Sequence, residues 1–186
     1  MSLQSYSRCW LHLTWTTLGR ARLLPKPAAA KLSRFLYEYA QSKDIYMRIN
    51  YVNVEHVHAL IDLPTKYSIE ETVKLLKGSS SHWINQNRIV AGKFAWARGY
   101  GAFSVSQSSV DEVSKYIANQ EEHHRKKSFT EEYEEFIRAY GLEWRDENKR
   151  KPLKRFQNID AATNTLLKKG VNESRFYDQT WPNRNS

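Results

Sequence analysis

An α+β fold built on one four-stranded antiparallel sheet is what this sequence of 186 residues predicts, and three observations predict it. Short segments rich in β-branched and aromatic residues alternate with longer amphipathic ones, in the order βαββαβ and then a further helix. Glycine, proline and short polar residues stand at the junctions. The length suits one core with an appended tail and is short for two full domains.

The first strand is expected at Arg8 to Thr17, where large and polar residues alternate (RCWLHLTWTT). Gly19 and Arg20 begin a loop, and Pro25 and Pro27 stand where a helix can start. Leu32, Phe35, Leu36 and Tyr39 then recur at helical spacing, which predicts an amphipathic helix to Ser42. Ile45 to Val52 and His56 to Leu63 read as two strands of a hairpin turning at Asn53 to Glu55. Ser68 and Glu71 have the spacing of a capping box, opening a second helix that runs to about Asn87 and is expected to be interrupted or bent near Gly78. Gly99 to Ser106 returns to strand character. Ser109 to Lys127 is then predicted as one helix, with Val110, Val113, Tyr116 and Ile117 on one face.

This order fits a ferredoxin-like (RRM-like) sheet with two crossover helices on one face and an additional helix after the fourth strand. Thr130 to Tyr140 looks like another short helix, and the polar, basic stretch from Asp146 reads as a tail. The expected organisation is a domain over residues 1–147 and a C-terminal extension over residues 148–186. No internal repeat or low-complexity run stands out.

Hydrophobic residues are 40% and charged residues 26% of the chain, as in ordinary globular proteins. Cys9 is the only cysteine, which excludes an internal disulfide and a thiolate metal cluster. Arg8 and His12 interrupt the apolar start, so no signal peptide is expected there, and no segment approaches membrane-span length. The expectation is a soluble cytoplasmic protein, associated with the nucleoid when bound to DNA. A formal net charge of +9 favours polyanionic partners, although solvated lysines give the same balance in many proteins.

His56 and His58 are two apart in a strand, so both side chains leave the same face and can converge on one ion. The same spacing fits two histidines on a partly exposed strand. On the helix predicted from Ser109 to Lys127, Tyr116, Asn119, Gln120, His123 and His124 fall along one stripe too polar for an ordinary core face, which suggests a cleft. A packed tyrosine with a hydrogen-bonded hydroxyl is the plainer reading of Tyr116. Lys77 beside Ser79 could contact phosphate, without the pattern of a nucleotide P-loop, and Arg125 and Lys126 complement a helix C-terminus or a DNA backbone.

The segments HVHALID, LLKGSSSHWIN, GYGAFSVS and YIANQEEHHRKKSFTEEY, in this order and spacing, closely resemble the single-tyrosine HUH transposases, the group that includes REP-associated tyrosine transposases. His56-Val57-His58 matches the His, hydrophobic, His signature, and the resemblance covers about Arg8 to Glu147. It implies a ferredoxin-like sheet whose face carries the histidine pair, Tyr116 as a nucleophile on the following helix, and Gln120 completing a site for Mg²⁺ or Mn²⁺. It further implies cleavage and rejoining of single-stranded DNA near hairpin-forming ends through a 5′-phosphotyrosine, and homodimers in which the tyrosine helix sometimes serves the partner. The extension after Glu147 matches nothing in the family.

Two other readings remain at this stage. One is a metal-dependent hydrolase in which Asp62 joins His56 and His58 and water is the nucleophile. The other is an idle nucleic-acid-binding module that stacks bases on Tyr100 and Phe103.

Overall fold

The computed structural model describes residues 6–122 together with residues 131, 133–135 and 138. The expected helix at Thr130 to Tyr140 therefore lies largely outside the described residues, and the C-terminal extension lies wholly outside them. Within the described residues the order is β1 (Trp10–Thr16), α1 (Lys26–Ser42), β2 (Tyr46–Val52), β3 (His56–Asp62), α2 (Ile69–Gln86), β4 (Gly101–Val105) and α3 (Val110–Ala118). Short 3₁₀ turns at Leu18–Arg20 and Gln107–Ser109 follow β1 and β4.

The four strands form one antiparallel sheet in the order β2-β3-β1-β4, as expected for the ferredoxin-like arrangement. β1 and β3 occupy the centre, and both are buried along almost their whole length. A central strand covered on both faces has no solvent side, so the alternation seen in the sequence of β1 separates two interiors rather than inside from outside.

One face of the sheet is an apolar core. Leu11, Leu13 and Trp15 of β1 and Val57, Ala59 and Ile61 of β3 meet Leu32, Leu36 and Ala40 of α1 and Val73, Leu76 and Ile84 of α2. Each fully buried aliphatic side chain here contributes about 1.5–3 kcal/mol of transfer free energy. The opposite face carries Trp10 and Leu60, against which Val110 and Ile117 of α3 are buried and Val113 and Tyr116 partly so. Two interiors therefore share one sheet.

Local chemistry accounts for the element boundaries. Ser68 caps α2: its hydroxyl accepts from Glu71 N at 3.1 Å, and the Glu71 carboxylate accepts from Ser68 N at 2.8 Å. Such a cap stabilises a helix by about 1 kcal/mol. The expected break at Gly78 does not occur, because α2 runs unbroken from Ile69 to Gln86. Three serines follow that glycine, and at the first two the hydroxyl donates back to the preceding turn, Ser79 to Leu75 O and Ser80 to Lys77 O, so neither competes with the helix.

β2 contains a bulge between Met47 and Ile49. In a regular strand Met47 and Ile49, two positions apart, would point to the same face. With the bulge, Met47 enters the apolar core and Ile49 joins the opposite cluster. The extra residue, Arg48, reaches from this edge strand to α3, donating to Asp111 at 2.8 Å and Ser114 at 3.1 Å.

The helix that carries Tyr116 is shorter than expected. α3 ends at Ala118, Asn119 takes φ −92° and ψ 12°, and helical geometry resumes at Gln120. Asparagine is a poor interior residue and a good terminator, since its side chain competes for nearby backbone groups. Tyr116 and Gln120 consequently stand on either side of a turn rather than on one continuous helix. No described helix is long and apolar enough to cross a membrane.

Candidate active site

The register of β1 against β3 places Thr14 opposite His58 and Thr16 opposite His56, and β4 places Phe103 opposite His12. Directly opposed residues share a face. Trp10, His12 and Thr14 of β1 therefore stand beside His56, His58 and Leu60 of β3, on the α3 side of the sheet. Val57 and Ala59 point the other way, into the apolar core.

His56 and His58 are buried, and their rings meet edge to face with centroids 5.1 Å apart. The pair expected from the HUH spacing is thus assembled as two neighbouring imidazoles on one face. Tyr116 arrives from α3, with its ring centroid 6.2 Å from that of His58 and 6.1 Å from that of His12. Val110, Val113 and Ile117 aim it there by burying the same helix face against Leu60 and Trp10. Gln120 is fully buried just beyond the turn at Asn119.

His12 is the residue that the sequence reading passed over. It is buried, and its Nε2 lies 3.0 Å from Nδ1 of His58. Burial without a compensating charge holds its pKa down at about 4, so its ring is neutral at physiological pH. The one signal available beforehand was its parity with Trp10 and Thr14 in an alternating strand, which has no meaning until β1 is paired with β3.

Gly101 borders the site from β4. A Cβ at that position would come within 2.8 Å of the Phe103 ring and 3.1 Å of the Tyr133 ring, so glycine is needed for both aromatics to lie where they do. Phe103 is buried between His12 and Tyr133, with centroids 6.4 and 6.3 Å away. It presents no platform for base stacking, and of the two aromatics invoked for an idle binding module only Tyr100 is exposed.

Asp62 ends the same stripe as His56 and His58 but serves elsewhere. Its carboxylate accepts from Cys9 N at 2.8 Å and pairs with Arg8 at 3.3 Å. Four residues of strand, about 13 Å at ~3.3 Å each, separate it from His58. The hydrolase reading therefore lacks the carboxylate it called on.

Of the residues expected to touch DNA, Lys77 and Ser79 are described, and both are engaged with backbone carbonyls. Lys77 donates to the carbonyls of Ala97, Arg98 and Gly99 at 2.8, 3.1 and 2.9 Å, which occupies all three ammonium protons and pins the segment leading into β4. Partial burial lowers its pKa. Ser79 is back-bonded within α2, as described above. Arg125 and Lys126 lie outside the described residues.

The assembled groups are two buried histidines and a phenol beside them. Among the described residues, no three His, Cys, Asp or Glu side chains come together as a metal cage.

Comparison with known proteins gives this geometry a context. A crystal structure of a presumptive transposase from Deinococcus radiodurans R1 is similar at 24% identity, covering 64% of this chain and 96% of that one with a TM-score of 0.49. A REP-associated tyrosine transposase bound to a REP hairpin is similar at 14% identity, covering 67% of this chain and 74% of that one with a TM-score of 0.50, a likeness of fold. No curated protein matches significantly. The family model described as "Transposase IS200 like" matches residues 5–120, well over half of the sequence and all of β1 through α3. The chain belongs to the IS200-like transposase family.

Proposed function

We propose that this transposase cuts and rejoins single-stranded DNA through a covalent 5′-phosphotyrosine on Tyr116, with Mg²⁺ or Mn²⁺ held by His56, His58 and Gln120. The observation that carries the reading is the position of Tyr116, edge-on to His58 at 6.2 Å on the face that bears the histidine pair. The donor set leaves an ion its full charge: two imidazole nitrogens and an amide oxygen are neutral and add no negative charge to oppose an incoming phosphate. When bound, the ion would polarise the phosphodiester and stabilise charge building on its oxygens.

The chain's own residues supply positioning and the nucleophile. The apolar face of α3 holds the phenol against the histidines, so attack begins from a near-fixed orientation. Tyr116 Oη forms a bond to phosphorus while the bond to the 3′ oxygen breaks, which leaves a 3′ hydroxyl and a phosphotyrosine. The phenol loses one proton and the leaving oxygen gains one, so the step is neutral overall. A second DNA hydroxyl reverses it, and strand joining needs no nucleotide cofactor because the bond energy is retained.

The substrate we propose is hairpin-forming single-stranded DNA, which the bound REP hairpin of the structural neighbour supports. The charge of +9 supports a polyanionic partner. The homodimer implied by the family resemblance is a separate part of the reading, checked by sedimentation at several concentrations.

The test is a labelled hairpin oligonucleotide from the flanks of the gene, incubated with Mg²⁺ or Mn²⁺ and run on denaturing gels. The 3′-side fragment, linked through its 5′ phosphate to an adduct peptide at Tyr116, is expected, together with a released fragment that ends in a 3′ hydroxyl. Tyr116→Phe should lose cleavage by about 10⁴-fold or more while still binding DNA. Continued cutting by that variant, or an adduct elsewhere, refutes the assignment.

A further inference from the structure

We propose that His12 is a positioning residue for His58: its Nε2 accepts the Nδ1 proton of His58, which fixes the His58 tautomer with Nε2 available to an ion. The inference rests on the metal reading of His58 given above. Its foundation is geometric. The two ring nitrogens lie 3.0 Å apart, and the ring planes differ by only 26° with centroids 5.2 Å apart. Nearly coplanar rings at that separation are joined edge to edge through their nitrogens, as an N–H···N bond requires.

One proton must occupy that bond, and its owner decides the chemistry. If it belonged to His12, the Nδ1 of His58 would be the acceptor and His58 Nε2 would carry the other proton, closing that nitrogen to a metal. If it belongs to His58, Nε2 keeps its lone pair. Ligating histidines ordinarily donate their second N–H to a carboxylate, a backbone carbonyl or water. A histidine in that role is neutral, so it orients the ligand without adding negative charge to a site that must receive a phosphate.

The fold holds the pair in place. Leu60 is the direct partner of His12, so His12 and His58 are diagonal neighbours across β1 and β3, a separation that only long or aromatic side chains bridge. Phe103 and Tyr116 both pack near the buried His12 ring, with centroids 6.4 and 6.1 Å away. A residue that fills this space without an acceptor would keep the packing and lose the tautomer.

The experiment uses the full chain labelled with ¹⁵N, without metal, and long-range proton–nitrogen spectra that separate protonated from unprotonated ring nitrogens. His58 should show a protonated Nδ1 and an unprotonated Nε2. In His12→Phe the opposite tautomer should gain population, and Mn²⁺ affinity measured by calorimetry should fall about 10–100-fold. His12→Gln, whose amide oxygen can accept the same proton, should recover most of that affinity. An unprotonated Nδ1 on His58 in the parent protein overturns the proposal, even if His12→Phe does not fold. Unchanged Mn²⁺ affinity in a folded His12→Phe protein also overturns it and leaves the proposed function standing. Absence of Mn²⁺ binding by the parent protein withdraws the metal reading, and this inference with it.

Discussion

The two faces of the sheet do different work with the same strands. On the α1 and α2 side, β1 and β3 contribute Leu11, Leu13, Trp15, Val57, Ala59 and Ile61, and all are buried among aliphatic and aromatic neighbours. On the α3 side the alternate residues are Trp10, His12, Thr14, His56, His58 and Leu60, equally buried but largely polar. Burying polar groups costs free energy that apolar packing does not, so the second face is tolerated because the first stabilises the sheet. The site proposed around Tyr116 and the histidine pair sits on the expensive side.

That division can be broken from either side, and the largest stability effect should come from the apolar one. Leu36→Ala removes a fully buried side chain of α1 and should destabilise the protein by about 2–5 kcal/mol in urea unfolding, while Mn²⁺ affinity of the folded fraction stays unchanged. A loss of affinity matching the loss of stability would show that the two faces are not separable.

Acid should strain the polar face next. An unfolded His12 takes up its proton near pH 6.5, whereas the folded protein resists until about pH 4. Between those values the unfolded chain binds more protons, so stability falls as pH is lowered through that window and is unaffected above it. The loss attributable to His12 should reach about 3 kcal/mol by pH 4. His12→Gln should flatten this part of the profile; an unaltered profile would remove burial of His12 as its cause.

The smallest effect concerns how α3 is held over the polar face. Arg48→Ala deletes the contacts to Asp111 and Ser114 from a partly exposed side chain and should cost under about 1 kcal/mol. Hydrogen exchange should nonetheless quicken in α3 while α1 and α2 keep their protection. Uniform exchange changes would mean that the bulge residue does not act as a local latch.

What the sequence determined by itself was local or periodic. The alternation of His56, Val57 and His58 in a strand, the capping box at Ser68 and Glu71, and the apolar stripe of α3 can each be read within a few residues, because strand and helix periods dictate which side chains share a face. The sheet order followed from those elements and from the resemblance. Tertiary structure alone decided which residues from distant segments meet. His12 reaches His58 across 46 positions, Lys77 spends its protons on carbonyls about 20 positions away, and Asp62 turns to Cys9 across 53. Each outcome depends on strand register and loop closure, which no local period encodes, and the bulge at Arg48 shows that one inserted residue can reassign a face. The histidine pair was therefore legible from its own strand, whereas the partner that orients it appears only once β1 lies beside β3.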